Sequence, residues 1–221
     1  MFVYRRFRMI IASIATATIM AVTSTVPANT DLDRDGLKDS IEVALGTDIY
    51  NADSDGDGYL DGEEVIHGYN PLGKVGDRKV ARRIEVDLSK QQLHYFFNNV
   101  KIGSYYVSTG RLSAKTPTGN FKILRKVPVK HYLGINVSYP NTKWNLEFKR
   151  GYYIHSAYWH NDFGVKPRSG GCINLTLPDA EQMYQYLDAG DKVVVYGKTP
   201  LKPLAKPANV QITAKKSAPV L

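Results

Sequence analysis

Apolar and polar residues alternate most clearly in the middle and C-terminal parts of the chain. In RRIEVDLS (82–89), Ile84, Val86 and Leu88 fall on one face, with Glu85 and Asp87 on the other. That period of two marks a half-buried strand. QQLHYFFNNVKIGSYYVSTG (91–110) reads as two strands around Asn98-Asn99, a pair suited to a tight hairpin turn. NFKILRKV (120–127), GYYIHSA (151–157) and the buried-type run DKVVVYG (191–197) are further strand candidates. One helix stands out. Pro178 suits its first position, Asp179 and Glu181 favour its N-terminus, and Gly190 is placed to end it. Ala180, Met183, Tyr184 and Leu187 give it one apolar face. Many strands with one short helix predict a mainly β fold, a compact sandwich or barrel-like body.

A different apolar run, Met9 to Val22, lies near the start. Arg5, Arg6 and Arg8 precede it, and Val26 and Ala28 are small residues placed for a cut after Ala28. This is the layout of a signal peptide over residues 1–28, with an uncleaved anchor as the alternative. The run is short for a membrane span, and no later stretch is long enough for one. The expectation is an exported protein of the periplasm, cell wall or extracellular space, with no stable membrane span after cleavage.

Charge divides the remainder. Residues 29–74 hold 12 acidic and 3 basic residues, whereas 75–221 hold 9 acidic and 23 basic. An acidic module therefore precedes a basic body. The basic surface suits an anionic cell wall polymer or a membrane face, and export makes nucleic acid an unsuitable partner. The expected organisation is a module at 29–74, a linker at 75–82, a body at 83–198, and a disordered Pro/Lys/Ala tail at 199–221.

The acidic module contains DLDRDGLKDSIE (31–42) and DSDGDGYLDGEE (53–64). Both fit the D-x-D-x-D-G-x5-E loop for calcium, a hard cation that takes many oxygens. The candidate ligands are Asp31, Asp33, Asp35, Asp39 and Glu42, then Asp53, Asp55, Asp57, Asp61 and Glu64. Leu37 and Tyr59 would supply backbone carbonyls, and Gly36 and Gly58 sit where each loop turns sharply. Only ten residues separate the loops, too few for the long helices of an EF-hand pair. The pattern resembles thrombospondin type 3-like calcium repeats of secreted bacterial proteins. That resemblance implies structural Ca²⁺ that cancels repulsion among the acids and stiffens a spacer.

The body holds the chain's only cysteine, Cys172, in SGGCIN. A lone cysteine is either an inert buried hydrophobe or a nucleophile. Gly170 and Gly171 permit a tight turn and close approach of substrate, and backbone N–H groups near such a turn can hold an oxyanion. His155, 17 residues upstream at a strand end, is a candidate base.

The run IHSAYWHNDFGVKPRSGGCINL (154–175) resembles the signature of L,D-transpeptidases of the YkuD type. VDLSKQQLHYF, VSTGRLSAKTPTGNFKI and PDAEQMYQYLDAGDKVVVYG match further family segments in order, so the resemblance covers about residues 83–197. It implies a β sandwich with one short helix, with Cys172 as nucleophile and His155 as general base. It also implies peptidoglycan tetrapeptide stems as substrate, D-Ala as leaving group, a thioester, and 3→3 cross-links with no catalytic cofactor. Family members often carry histidine where Gly170 stands, and some carry Arg where Asn174 stands. Ser169, Gly170 and Gly171 are candidates for the oxyanion turn. Tyr158, Trp159, His160, Arg168 and Asn174 are candidates for substrate contact. His67, His94 and His131 lack metal-ligand spacing and read as structural or exposed. Two rival readings are an L,D-carboxypeptidase on the same stems and a catalytically silent, calcium-dependent wall-binding protein.

Overall fold

The computed structural model describes residues 30–73, 79–134 and 137–205. The signal segment, residues 75–78 of the expected linker and residues 206–221 of the tail lie outside them. The acidic loops end in two short helices, α1 (Asp39–Leu45) and α2 (Asp61–His67). The body follows with β1 (Arg82–Asp87), β2 (Gln92–Phe97), β3 (Val100–Tyr106), β4 (Gly119–Lys122), β5 (Arg125–Gly134), β6 (Val137–Lys149), β7 (Tyr152–Ser156), β8 (Ile173–Leu175), α3 (Leu177–Tyr186) and β9 (Lys192–Tyr196).

The strands form two sheets, in the orders β3-β2-β1-β9-β4 and β5-β6-β7-β8. β1 pairs with β9 and β7 with β8 in parallel; the other pairs are antiparallel. Strand alternation fills the core: Ile84 and Val86, Leu93 and Tyr95, and Val193 and Val195 come from one sheet. Leu146, Phe148, Ile154, Ile173 and Leu175 come from the other. Each such aliphatic side chain contributes roughly 1.5–3 kcal/mol by leaving water.

The β2–β3 hairpin turns on Asn98 and Asn99, at φ 44° and 69°. Both are left-handed, the geometry of the turn type whose twist matches the flanking strands. The candidate strand 120–127 is divided between β4 and β5, which belong to different sheets. The helix starts and stops earlier than its proline and glycine suggest. Thr176 caps it by accepting the Asp179 N–H, and Leu187 closes it, three residues before Gly190. Thr176 leaves one orphan amide fewer at the N-terminus.

The acidic module is built into the body rather than spaced from it. Leu37, Ile41 and Val65 join the same core cluster as the sheets. Arg82, whose side chain is buried, donates to the Ile66 carbonyl at the end of α2 and pairs with Asp188 and Asp191 after α3. Residues 199–205 also lie against the body: Thr199 donates to the Gly110 carbonyl and the Leu204 N–H to the Val165 carbonyl.

Candidate active site

The parallel register of β7 and β8 sets Ile154 opposite Ile173 and His155 opposite Asn174. Side chains alternate across a strand, so Ile154, Ile173 and Leu175 enter the core while Tyr153, His155, Cys172 and Asn174 share the other face. Cys172 immediately precedes β8, and its sulfur meets the Tyr153 backbone N–H on β7, two residues before His155. The sequence-predicted nucleophile and base are thereby brought to one face.

The turn before Cys172 is held from within. The Ser169 hydroxyl donates to the Cys172 carbonyl at 2.6 Å and accepts the Gly171 N–H at 3.0 Å. That N–H is spent in the turn, so Gly171 contributes its conformation rather than a free oxyanion donor. Gly171 has φ +122°, and a Cβ there would meet the Tyr152 ring at 2.7 Å. Gly170 is exposed and a Cβ there would meet nothing within 4 Å, so packing does not require glycine at this position. The S-T-G segment clamps the far side: Ser108 and Asn174 exchange both backbone hydrogen bonds at 2.9 Å. The buried Gln91 amide binds Thr109 through its N–H and its hydroxyl, and Thr116 accepts the Gly110 N–H.

His155 is buried and its Nδ1 lies 2.8 Å from the Ser156 carbonyl. A carbonyl only accepts, so Nδ1 carries the proton and Nε2 keeps its lone pair. Burial pushes the His155 pKa down to about 4. Burial pushes the Cys172 thiol up to about 11, against the Tyr153 backbone N–H and the charge of Lys130. The resting pair is therefore a neutral thiol and a neutral imidazole with an available base nitrogen.

Several sequence candidates take other positions. Asn174 is buried with its amide 3.0 Å from His160 Nε2. His160 Nδ1 accepts the Asp162 N–H, so the neutral ring bears its proton on Nε2. The Asn174 oxygen belongs on that side, an orientation that gives a partner to a buried oxygen otherwise without one. Asn174 thus orients His160 from behind the site. Arg168 pairs with Asp162 at 2.6 Å. Tyr158 is exposed, and its hydroxyl donates to the Pro140 carbonyl. Trp159 stacks on Tyr139 with ring centroids 3.8 Å apart and lies 5.9 Å from His155.

Tyr139 belongs to the long β5–β6 hairpin, the element that sequence reading missed. Tyr132 on β5 stacks on His155 at 4.7 Å and donates to the Asn145 side chain at 2.9 Å. β5 is exposed or half-buried throughout, and β6 passes from an exposed half to a continuous buried run at 145–148, so neither shows the one-sided alternation that betrays a half-buried strand. The hairpin's concentration of Lys130, Tyr132, Tyr139 and Trp144 is the one signal the sequence carried.

A second cluster lies in the acidic module. Asp31, Asp33 and Asp35 bring ligand oxygens within 4.8 Å of one another, as do Asp53, Asp55 and Asp57. Glu42 is fully buried and both its carboxylate oxygens lack a hydrogen-bond partner; one oxygen each of Asp31, Asp33, Asp39, Asp55 and Glu64 is in the same position. Buried carboxylates without donors fit a bound hard cation. Asp61 differs, since both its oxygens accept from Ser54, and Asp39 accepts the Leu32 N–H with one of its two. Leu37 and Tyr59 occupy the carbonyl positions of the loops, and the Leu37 side chain reaches the core.

Comparisons with known proteins now bear on this geometry. Residues 81–195 match the family model of the L,D-transpeptidase catalytic domain, and residues 31–48 and 53–72 match the bacterial TSP3 repeat. A probable L,D-transpeptidase 3 of Mycobacterium tuberculosis is 34% identical over 99 residues, covering 40% of this chain and 36% of that protein. The chain thus aligns with little more than a third of that relative's length. A crystal structure of an L,D-transpeptidase from Mycobacterium tuberculosis superposes with TM-score 0.51 at 26% identity, covering 53% of this chain and 58% of that one. L,D-transpeptidase 3 from the same organism, in complex with a faropenem-derived adduct, gives 0.50 at 25% identity over 52% of this chain and 60% of that one.

Two outcomes are expected. Alkylation of Cys172 by iodoacetamide should accelerate by about tenfold per pH unit from pH 6 to 9, because the thiolate fraction grows throughout that range. A preformed thiolate–imidazolium pair would instead hold its rate level into acid. For the module, burial and neighbouring acids push Glu42 and Glu64 up to about 7. Without metal the folded state keeps protons that the unfolded state loses between about pH 4.5 and 7, so these groups make stability fall as pH rises through that window. Cation binding needs the charged carboxylates, so the gain in melting temperature from 1 mM calcium should be larger at pH 7.5 than at pH 5. At ten times Kd the gain is about 1.4 kcal/mol per site. Differential scanning calorimetry with and without a chelator measures it.

Proposed function

The chain belongs to the L,D-transpeptidase catalytic domain family, and we propose that it transfers peptidoglycan stem peptides through a thioester on Cys172. The observation that carries this reading is a thiol hydrogen-bonded to the Tyr153 backbone N–H of β7, two residues from an imidazole whose Nε2 is left to accept a proton. Tetrapeptide stems are the proposed donors. The Cys172 sulfur attacks the carbonyl that joins the L-centre of the third residue to terminal D-Ala, and His155 Nε2 takes the thiol proton. A substrate that covers a neutral thiol does not incur the cost of desolvating a thiolate, and the proton moves as the new bond forms. With the Gly171 N–H engaged by Ser169, the Cys172 N–H is the donor next in line for the oxyanion.

The tetrahedral intermediate collapses, the proton passes from His155 to the departing amine, and D-Ala leaves. A side-chain amine on the third residue of another stem then attacks the thioester and gives up a proton to His155; the C–S bond breaks, the proton returns to the Cys172 sulfur, and a 3→3 cross-link is formed. Water in the amine's place would make the same intermediate that of an L,D-carboxypeptidase. Both partners of the Cys172–His155 pair are present and share one face, which weighs against a silent wall-binding protein. Trp159 and Tyr158, beneath and beside the hairpin, are proposed to pack against the stem. The substrate lies in the wall, so action requires export, as the N-terminal segment predicts. Calcium bound by the acidic loops would neutralise their buried carboxylates and brace a module already packed into the core.

Intact mass spectrometry after mixing the protein with faropenem tests the nucleophile. A stable covalent adduct on the parent, absent from Cys172→Ala, is expected; a folded parent that stays unmodified would contradict the assignment.

A further inference from the structure

The hairpin that covers His155 also carries a cation into the site. Lys130 stands on β5 opposite Thr142 of β6. Its Nζ lies 5.4 Å from the centre of the Tyr132 ring and 5.3 Å from that of Tyr153. Both residues belong to the reacting centre: Tyr132 stacks on His155, and the Tyr153 backbone N–H meets the Cys172 sulfur. Two aromatic faces thus hold one ammonium beside the thiol, an arrangement that attracts and orients a cation.

The other cations of this strand are differently occupied. Arg125 is paired with Glu147, and Lys126 with Asp188. Lys130 has no carboxylate partner among the described residues. Its field nevertheless reaches the Cys172 sulfur, where it favours the thiolate. A half-buried ammonium at the mouth of a reaction site, without an internal counter-ion, is suited to an anionic group brought by the substrate.

We propose that Lys130 recognises the free carboxylate of the residue expelled during acylation, and so restricts attack to the last amide of a peptide. The inference rests on the L,D-transpeptidase reading of the site. In a stem that ends at the leaving residue, the carboxylate carbon is two bonds from the scissile nitrogen. Once the scissile carbonyl is within reach of Sγ, that carboxylate must lie close by, within the field of a cation positioned beside the thiol. A stem extended by one more residue places a neutral amide there and leaves the ammonium without an anion. Lys130 thereby selects for chain ends, while the Cys172–His155 pair performs the bond exchange.

The test uses the full chain and its Lys130→Met and Lys130→Arg variants, with two readouts. The first needs no peptide: rates of Cys172 alkylation by anionic iodoacetate and neutral iodoacetamide. Lys130→Met should lower the iodoacetate-to-iodoacetamide ratio about tenfold, and Lys130→Arg should largely restore it. The second compares acylation by a tetrapeptide stem with that by its C-terminal amide. Lys130→Met should raise KM for the acid about tenfold and for the amide less than about twofold, removing the preference between them. A purely packing role would slow both reagents and both peptides alike, and an unchanged ratio in Lys130→Met would overturn the proposal alone. Stems that fail to acylate a parent whose charge preference depends on Lys130 would overturn the stem-peptide reading, and the identity of the carboxylate with it.

Discussion

The parallel pairing of β7 with β8 is the constraint on which the site depends. Ile154, Ile173 and Leu175 are almost wholly buried, and their burial fixes the register. A slip of one residue in β8 would turn Ile173 and Leu175 away from the core and part Cys172 from His155. The cost of exposing those aliphatic side chains therefore also guards the chemistry. The S-T-G segment holds β8 from its other edge through paired backbone hydrogen bonds at Asn174. The turn at Ser169 and Gly171 then delivers Cys172 to the start of the strand with its carbonyl already hydrogen-bonded.

Around that pair the environment is apolar and aromatic. Tyr132 covers the imidazole, Trp159 and Tyr139 stack nearby, and burial holds both reacting groups neutral. Neutrality divides the labour. The Ser156 carbonyl sets the His155 tautomer and leaves Nε2 as the basic nitrogen, and Lys130 on the hairpin supplies a positive charge whose field reaches Cys172. Such a site gains little from a resting thiolate. It gains from a substrate that excludes water and brings its own charge to Lys130.

The strands that face the core on one side were legible in the sequence, as Ile84, Val86 and Leu88 illustrate. So was the hairpin at Asn98-Asn99, because its residues suit a left-handed turn. Cys172 and His155 were singled out by their spacing and family resemblance, and the fold places them on neighbouring segments. The β5–β6 hairpin was not legible, since β5 buries neither face and β6 buries both only in its second half, so neither carries a period-two signal. With it went Lys130 and Tyr132, which only tertiary pairing places over His155. Asn174 and Arg168 read as substrate contacts by position alone, yet one faces His160 and the other Asp162. The acidic loops were plain in sequence. Their packing was not, because Leu37, Ile41 and Val65 show where they are buried only once the body is folded. A module expected as a spacer shares the core, so ion binding there is coupled to the stability of the whole body.

The central claim is that Cys172 opens an L,D-amide at a stem's end. The most direct measurement is mass spectrometry of the calcium-loaded protein mixed with a synthetic tetrapeptide stem, with free D-alanine assayed in parallel. The account predicts a Cys172 peptide heavier by the stem acyl group without its D-Ala, with D-alanine released in at least equal amount. A folded protein that binds the stem yet leaves Cys172 unmodified and releases no D-alanine would contradict it.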